Sequence, residues 1–186
     1  MEILRICGNT SKELIERFSP NSQLYYCKDL ETVHDEKYPS LSEVNRAYGE
    51  DCAALWLIPH LVDLARFTSV KDRFSDSKIV SLADIIQSQY YFLTITELMS
   101  FFVRFKAGKY SDFYGSVDPL VITSSLMKYC MEREVELNHI GYMKEQQLLK
   151  EQRQFQEKVK VTYEEYIRQK EQLEKRVNDE QQRQSD

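Results

Sequence analysis

Between Ser40 and about Glu136, apolar residues recur at three- and four-residue intervals, the spacing of helices that close on one dry interior. The stretch Cys52–Phe67, CAALWLIPHLVDLARF, is apolar nearly all round, which predicts a central helix with Trp56 in the core and a kink at Pro59. Before it, a helix starts after Pro39 with Ser40 or Ser42 as N-cap and runs through Val44, Ala47 and Tyr48. Gly49 either interrupts that helix or is tolerated in it. After a polar connection, Ser81–Tyr91 carries Leu82, Ile85, Ile86 and Tyr90 on one stripe. Thr94-Ile95-Thr96-Glu97 then reads as a capping box. The helix it opens carries Ile95, Leu98, Met99, Phe102 and Phe105 and stops at Gly108. Asp118-Pro119 is a further start signal, for a helix through Ile122, Leu126, Tyr129 and Cys130.

The two ends differ from this core. In residues 1–40, Ser11–Phe18 reads as a short helix closed by Ser19-Pro20-Asn21, and Leu24–Cys27 offers a short strand with Ile3–Ile6 as its candidate partner. Residues 142–186 hold about ten glutamines, ten basic and ten acidic residues. Helix propensity is high there and the apolar stripe is thin. Thr162-Tyr163-Glu164-Glu165 repeats the capping-box pattern and predicts a separate short helix. Phe155, Val159, Tyr163, Tyr166, Leu173 and Val177 follow heptad spacing only roughly. The expected fold class is mainly all-α: an N-terminal segment 1–40 with a short β pair, a compact core 41–141 of four to five helices, and a charged, Gln-rich helical arm 142–186.

Composition narrows the function classes. With five glycines and four prolines in 186 residues, few loops are expected. A net charge of −5 argues against a protein that coats DNA generally, although it leaves room for a local basic patch. The four cysteines, Cys7, Cys27, Cys52 and Cys130, lack metal-site spacing and read as reduced thiols. MEILRICGNT has no secretory pattern, and no apolar run approaches the roughly 20 residues of a membrane span. The expectation is a cytoplasmic protein without membrane association.

Candidate chemistry concentrates in one loop. Arg104, Lys106 and Lys109 are interleaved with Phe105, Tyr110, Phe113 and Tyr114. Cations that meet phosphates beside aromatic faces that stack bases would make a single-strand nucleic-acid surface. The plainer reading pins Tyr110, Phe113 and Tyr114 onto the core and leaves the cations as a solvated rim; a protein-binding surface is the third. Two Glu-x-x-His pairs, Glu31/His34 and Glu136/His139, are a weak match to the carboxylate–histidine motif of di-iron bundles, and no other helix offers an inward carboxylate except Glu97, which the cap already uses. No nucleophile elbow, phosphate loop or dinucleotide fingerprint occurs, and His60 on the apolar helix reads as packed rather than catalytic. No metal and no cofactor is expected.

The run Glu97-Leu98-Met99, Phe101-Phe102, Arg104-Phe105-Lys106, Gly108, Tyr110, Phe113-Tyr114-Gly115 and Asp118-Pro119 resembles a set of uncharacterised proteins of gut Bacteroidales integrative elements and phages. Ala47–Glu50, Leu55–Leu57 and Tyr163–Tyr166 extend the resemblance. It implies a setting, a mobile-element or phage accessory gene, and no activity. Three function classes therefore stand: a non-enzymatic adaptor binding a protein partner through the core loop and the arm, a single-stranded nucleic-acid-binding protein using residues 104–114, and an enzyme of unrecognised type.

Overall fold

A computed structural model of the chain describes residues 2–67, 75–110 and 118–183. Among these, nine α-helices follow one another: α1 (Glu2–Cys7), α2 (Ser11–Arg17), α3 (Gln23–Tyr26), α4 (Leu30–Val33), α5 (Leu41–Tyr48), α6 (Cys52–Phe67), α7 (Asp76–Gln89), α8 (Ile95–Lys106) and α9 (Pro119–Arg183). The described residues contain no strand, so the fold is all-α. The short N-terminal β pair does not form: Ile3–Ile6 lies in α1 and Leu24–Tyr26 in α3. The aromatic run that suggested a strand is instead a single helical turn. It seats the Tyr26 ring on Phe18, with centroids 4.7 Å apart, and turns Gln23 into the interior.

The helix starts explain how the core is assembled. Ser40 and Thr94 each form a full capping box, with Glu43 and Glu97 returning their carboxylates to the cap backbone. The two starts lie side by side: the amides of Leu41 and Ser42 donate to the carbonyls of Leu93 and Tyr91, and Ile95 donates to Pro39, all at 3.0 Å. The segment leading into each helix thus satisfies first-turn amides of the other that would otherwise lack partners. Thr96 adds a hydroxyl donated to the Val33 carbonyl at 2.9 Å, which ties α4 to the same corner. Gly49 ends α5 at φ 107°, a conformation that side chains with a Cβ rarely adopt.

Around that corner the apolar faces close. Trp56, Leu57, Leu61 and Leu64 of α6, Leu82 and Ile86 of α7, and Leu98, Phe101, Phe102 and Phe105 of α8 are all but fully buried. Ile122, Leu126 and Tyr129 from the start of α9 complete the same cluster.

The chain divides into two compact units, residues 1–138 and 139–186. Residue 138 falls inside α9, whose 65 residues run through Thr162 without a break. The separate helix expected there does not begin: the Thr162 hydroxyl donates to the Lys158 carbonyl one turn back and so acts within a continuing helix. In the second unit no described side chain is buried. Among the described residues, no helix is long and apolar enough to cross a membrane.

Candidate functional site

The cations of the basic–aromatic loop are held by carboxylates. Arg104, in the last turn of α8, makes two hydrogen bonds to Glu136 at 2.7 and 3.0 Å and a third, longer one to Glu132. Lys109 and the Tyr110 hydroxyl reach the same Glu132 oxygen at 2.8 and 2.9 Å. Lys106 turns the other way, to Asp63 and to the side-chain amide oxygen of Gln23. Tyr110 is buried, nearly parallel to Phe101 at 5.8 Å between centroids. Arg104, Lys109 and Tyr110 are therefore brought together on Glu132, whereas Lys106 belongs to a different cluster. Phe113 and Tyr114 lie outside the described residues.

Beneath Arg104 is the most concentrated polar chemistry of the first unit. His34, just past α4, places its Nδ1 2.8 Å from Glu97 and its Nε2 2.9 Å from Glu136. Both partners are acceptors, so both ring nitrogens carry protons and the imidazole is cationic. Burial works against that charge, and the two carboxylates outweigh it, holding the His34 pKa above its ordinary value. Glu97 also accepts from Arg133 at 2.7 Å and from the Thr94 amide at 2.9 Å. Burial pushes the Glu97 and Glu136 pKa values up, but hydrogen bonds from His34 and from Arg133 or Arg104 prevail, so both lie below the ordinary glutamate value. Four cations (His34, Arg104, Lys109, Arg133) thus interleave with three carboxylates (Glu97, Glu132, Glu136). The ring of Tyr129 lies under Arg104 at 5.4 Å, and its buried hydroxyl has no hydrogen-bond partner among the described residues.

Sequence spacing paired Glu31 with His34 and Glu136 with His139. The fold takes one member of each pair, His34 and Glu136, and joins them to Glu97. In the resulting cluster the His34 ring lies between two carboxylates, each of which also accepts from an arginine. Among the described residues, no group of three or more His, Cys, Asp or Glu side chains is arranged to hold a metal ion.

A second polar chain crosses the base of the unit. His60 donates from Nε2 to the Phe18 carbonyl at 2.9 Å, and its Nδ1 accepts from the Gln23 amide at 2.7 Å. The Trp56 indole donates to the same carbonyl. This ring is neutral: burial lowers its pKa to about 4. Gln23 passes the chain on to Lys106 and Asp63. The recess beside it is lined by Pro20, Asn21, Ile58, Pro59, Val62, Asp63 and Arg66, and Lys106 holds its Asp63. Burial raises the thiols of Cys7 and Cys27 to about 11, which leaves them protonated and poor nucleophiles at neutral pH.

The second unit has the opposite character. Leu148, Phe155, Val159, Tyr166 and Leu173 are each more than half exposed. On a helix of 3.6 residues per turn these five fall on one narrow face. Neighbouring polar positions carry mixed charge, so the face is an apolar strip on an otherwise polar helix.

No curated protein and no solved structure matches the chain. Residues 73–178 match a family described as a family of unknown function, DUF6633. That span takes in Glu97, Arg104, Glu132, Arg133, Glu136 and the strip from Leu148 to Leu173; His34, Gln23 and His60 precede it. The match covers more than half of the sequence, and the chain belongs to the DUF6633 family of unknown function.

Proposed function

We propose that this protein is a non-enzymatic adaptor, with the first unit a fixed helical platform and the second unit a docking helix for a protein partner. The observation that carries this reading is the contrast between the two units. In the first, the charged side chains singled out by the sequence are engaged by one another. In the second, five large apolar side chains lie in a row in water. Ion pairs of this kind fix the packing of α4, α8 and α9 and leave little charge to offer a ligand. An exposed apolar row on a helix is the form in which helix-to-helix recognition is carried.

The setting we propose is the cytoplasm of a bacterium carrying an integrative element or phage, with a role in replication or maintenance of that element. The resemblance of the Glu97–Pro119 run to such proteins supports it. Single-strand nucleic-acid binding ranks lower, because Arg104, Lys106 and Lys109 would each have to leave a carboxylate to meet a phosphate.

Affinity capture from the native host tests the reading, comparing the wild-type chain with a Phe155→Glu/Tyr166→Glu variant. Proteins captured by the first and lost by the second are expected. An identical set from both would refute a docking role for the second unit.

A further inference from the structure

The strip on the second unit repeats with alternating steps of four and three residues at positions 148, 152, 155, 159, 162, 166, 169 and 173, the frame of a coiled-coil seam. Written in that order the residues are Leu, Gln, Phe, Val, Thr, Tyr, Gln, Leu. The row reads nearly the same in both directions about a centre between residues 160 and 161. Leu148 mirrors Leu173, Gln152 mirrors Gln169, Phe155 mirrors Tyr166, and Val159 mirrors Thr162, matched in each case in size or polarity. All eight are exposed, and the helix runs unbroken through them.

From this symmetry we infer that the occupant of the strip is a second copy of the same chain, paired antiparallel about that centre. The inference rests on the docking role proposed above and names the partner. In an antiparallel pair each seam position meets its mirror position in the other copy, so the match must exist within one sequence read backwards. In a parallel pair every layer meets itself, and the palindrome would be unnecessary.

The polar layers fit the same arrangement. Gln152 and the Gln169 of the second copy can exchange side-chain amide hydrogen bonds, which satisfies both inside the seam and penalises any register that sets an amide against Leu or Phe. The flanking charges agree as well. Lys158 and Glu165, both exposed, lie on the same edge of the seam, and antiparallel pairing sets Lys158 of each copy beside Glu165 of the other, giving two symmetric ion pairs. Burying the aromatic and aliphatic layers is the principal gain, because a helix with so thin an apolar stripe has little else to stabilise it in water.

Two measurements on the full chain decide the matter. Sedimentation equilibrium is expected to give twice the chain mass, with association weakened at least about 100-fold in the Phe155→Glu/Tyr166→Glu variant. Gln152→Cys and Gln169→Cys chains, oxidised separately and as a mixture, report orientation: the disulfide is expected in the mixture and not in either chain alone. A single-chain mass at every concentration overturns the inference. So does a disulfide formed within each single variant, which would signal a parallel pair. A monomeric chain that still loses captured host proteins in the double variant overturns self-pairing alone and leaves the docking role standing, whereas loss of both removes both.

Discussion

His34 shows how a single side chain becomes central to a fold. Its ring joins Glu97 of α8 to Glu136 of α9 while itself sitting at the end of α4, so one imidazolium links three elements. Replacing it by Gln leaves two buried carboxylates with a poorer partner, and urea unfolding is expected to show a loss of about 3 kcal/mol; a change under about 0.5 kcal/mol would mean the charge is not needed. The sign of its pH dependence follows from the raised pKa. Stabilisation by His34 is complete below its ordinary value of 6.5 and fades as pH rises through the folded value. His60 does the reverse. With a folded value of about 4, its contribution is complete above 6.5 and is lost as pH falls toward about 4. The wild-type unfolding midpoint should therefore decline on both sides of about pH 6.5, and His34→Gln should flatten the alkaline limb while leaving the acid limb. A third residue tests the polar accounting: Tyr129→Phe removes a buried hydroxyl that has no partner among the described residues, so stability is expected to hold or to rise by up to about 1 kcal/mol, whereas a loss above about 1 kcal/mol would reveal a hydrogen bond the hydroxyl makes after all.

Among the elements, capping signals were the most legible part of the sequence. Ser40, Thr94 with Glu97, and Asp118-Pro119 mark the starts of α5, α8 and α9 where local chemistry alone demands them, because a cap is written within four residues. The Thr162–Glu165 pattern fails for the same physical reason. Where the preceding helix is unbroken, the threonine hydroxyl already has the carbonyl four residues back and caps nothing. Thr94→Ala is expected to cost about 1–2 kcal/mol, more than Thr162→Ala, which is expected within about 0.5 kcal/mol of wild type by thermal unfolding. Leu24–Cys27 carries a strand pattern because Leu-Tyr-Tyr is aromatic-rich and short, whereas Gln23–Tyr26 forms a helical turn. Its helical state draws on Tyr38 and His60, which a window of ten residues does not contain. The central ion cluster was invisible in its assembled form for the same cause: His34 is separated by 63 positions from Glu97 and by 102 from Glu136, and only the folded chain selects one member from each Glu-x-x-His pair.

On the scale of the whole molecule, the two units divide the tasks. The first places its aromatic and aliphatic bulk inside and neutralises the cations nearest the 104–110 turn, so charge composition alone overstated the reach of that loop toward ligands. The second inverts the usual arrangement, with Phe155 and Tyr166 facing water on a helix of high propensity and little burial. A double Glu substitution there is expected to leave the unfolding of the first unit unchanged, since none of its buried residues lies beyond residue 138. The measurement that most directly tests a pairing role for the second unit is amide hydrogen exchange across residues 139–183, followed as the chain concentration is raised. Protection that grows with concentration in the wild type and stays absent in the Phe155→Glu/Tyr166→Glu chain is the expected result. Equal protection in both chains at every concentration would contradict it, since the helix would then owe its stability to something other than the exposed apolar strip.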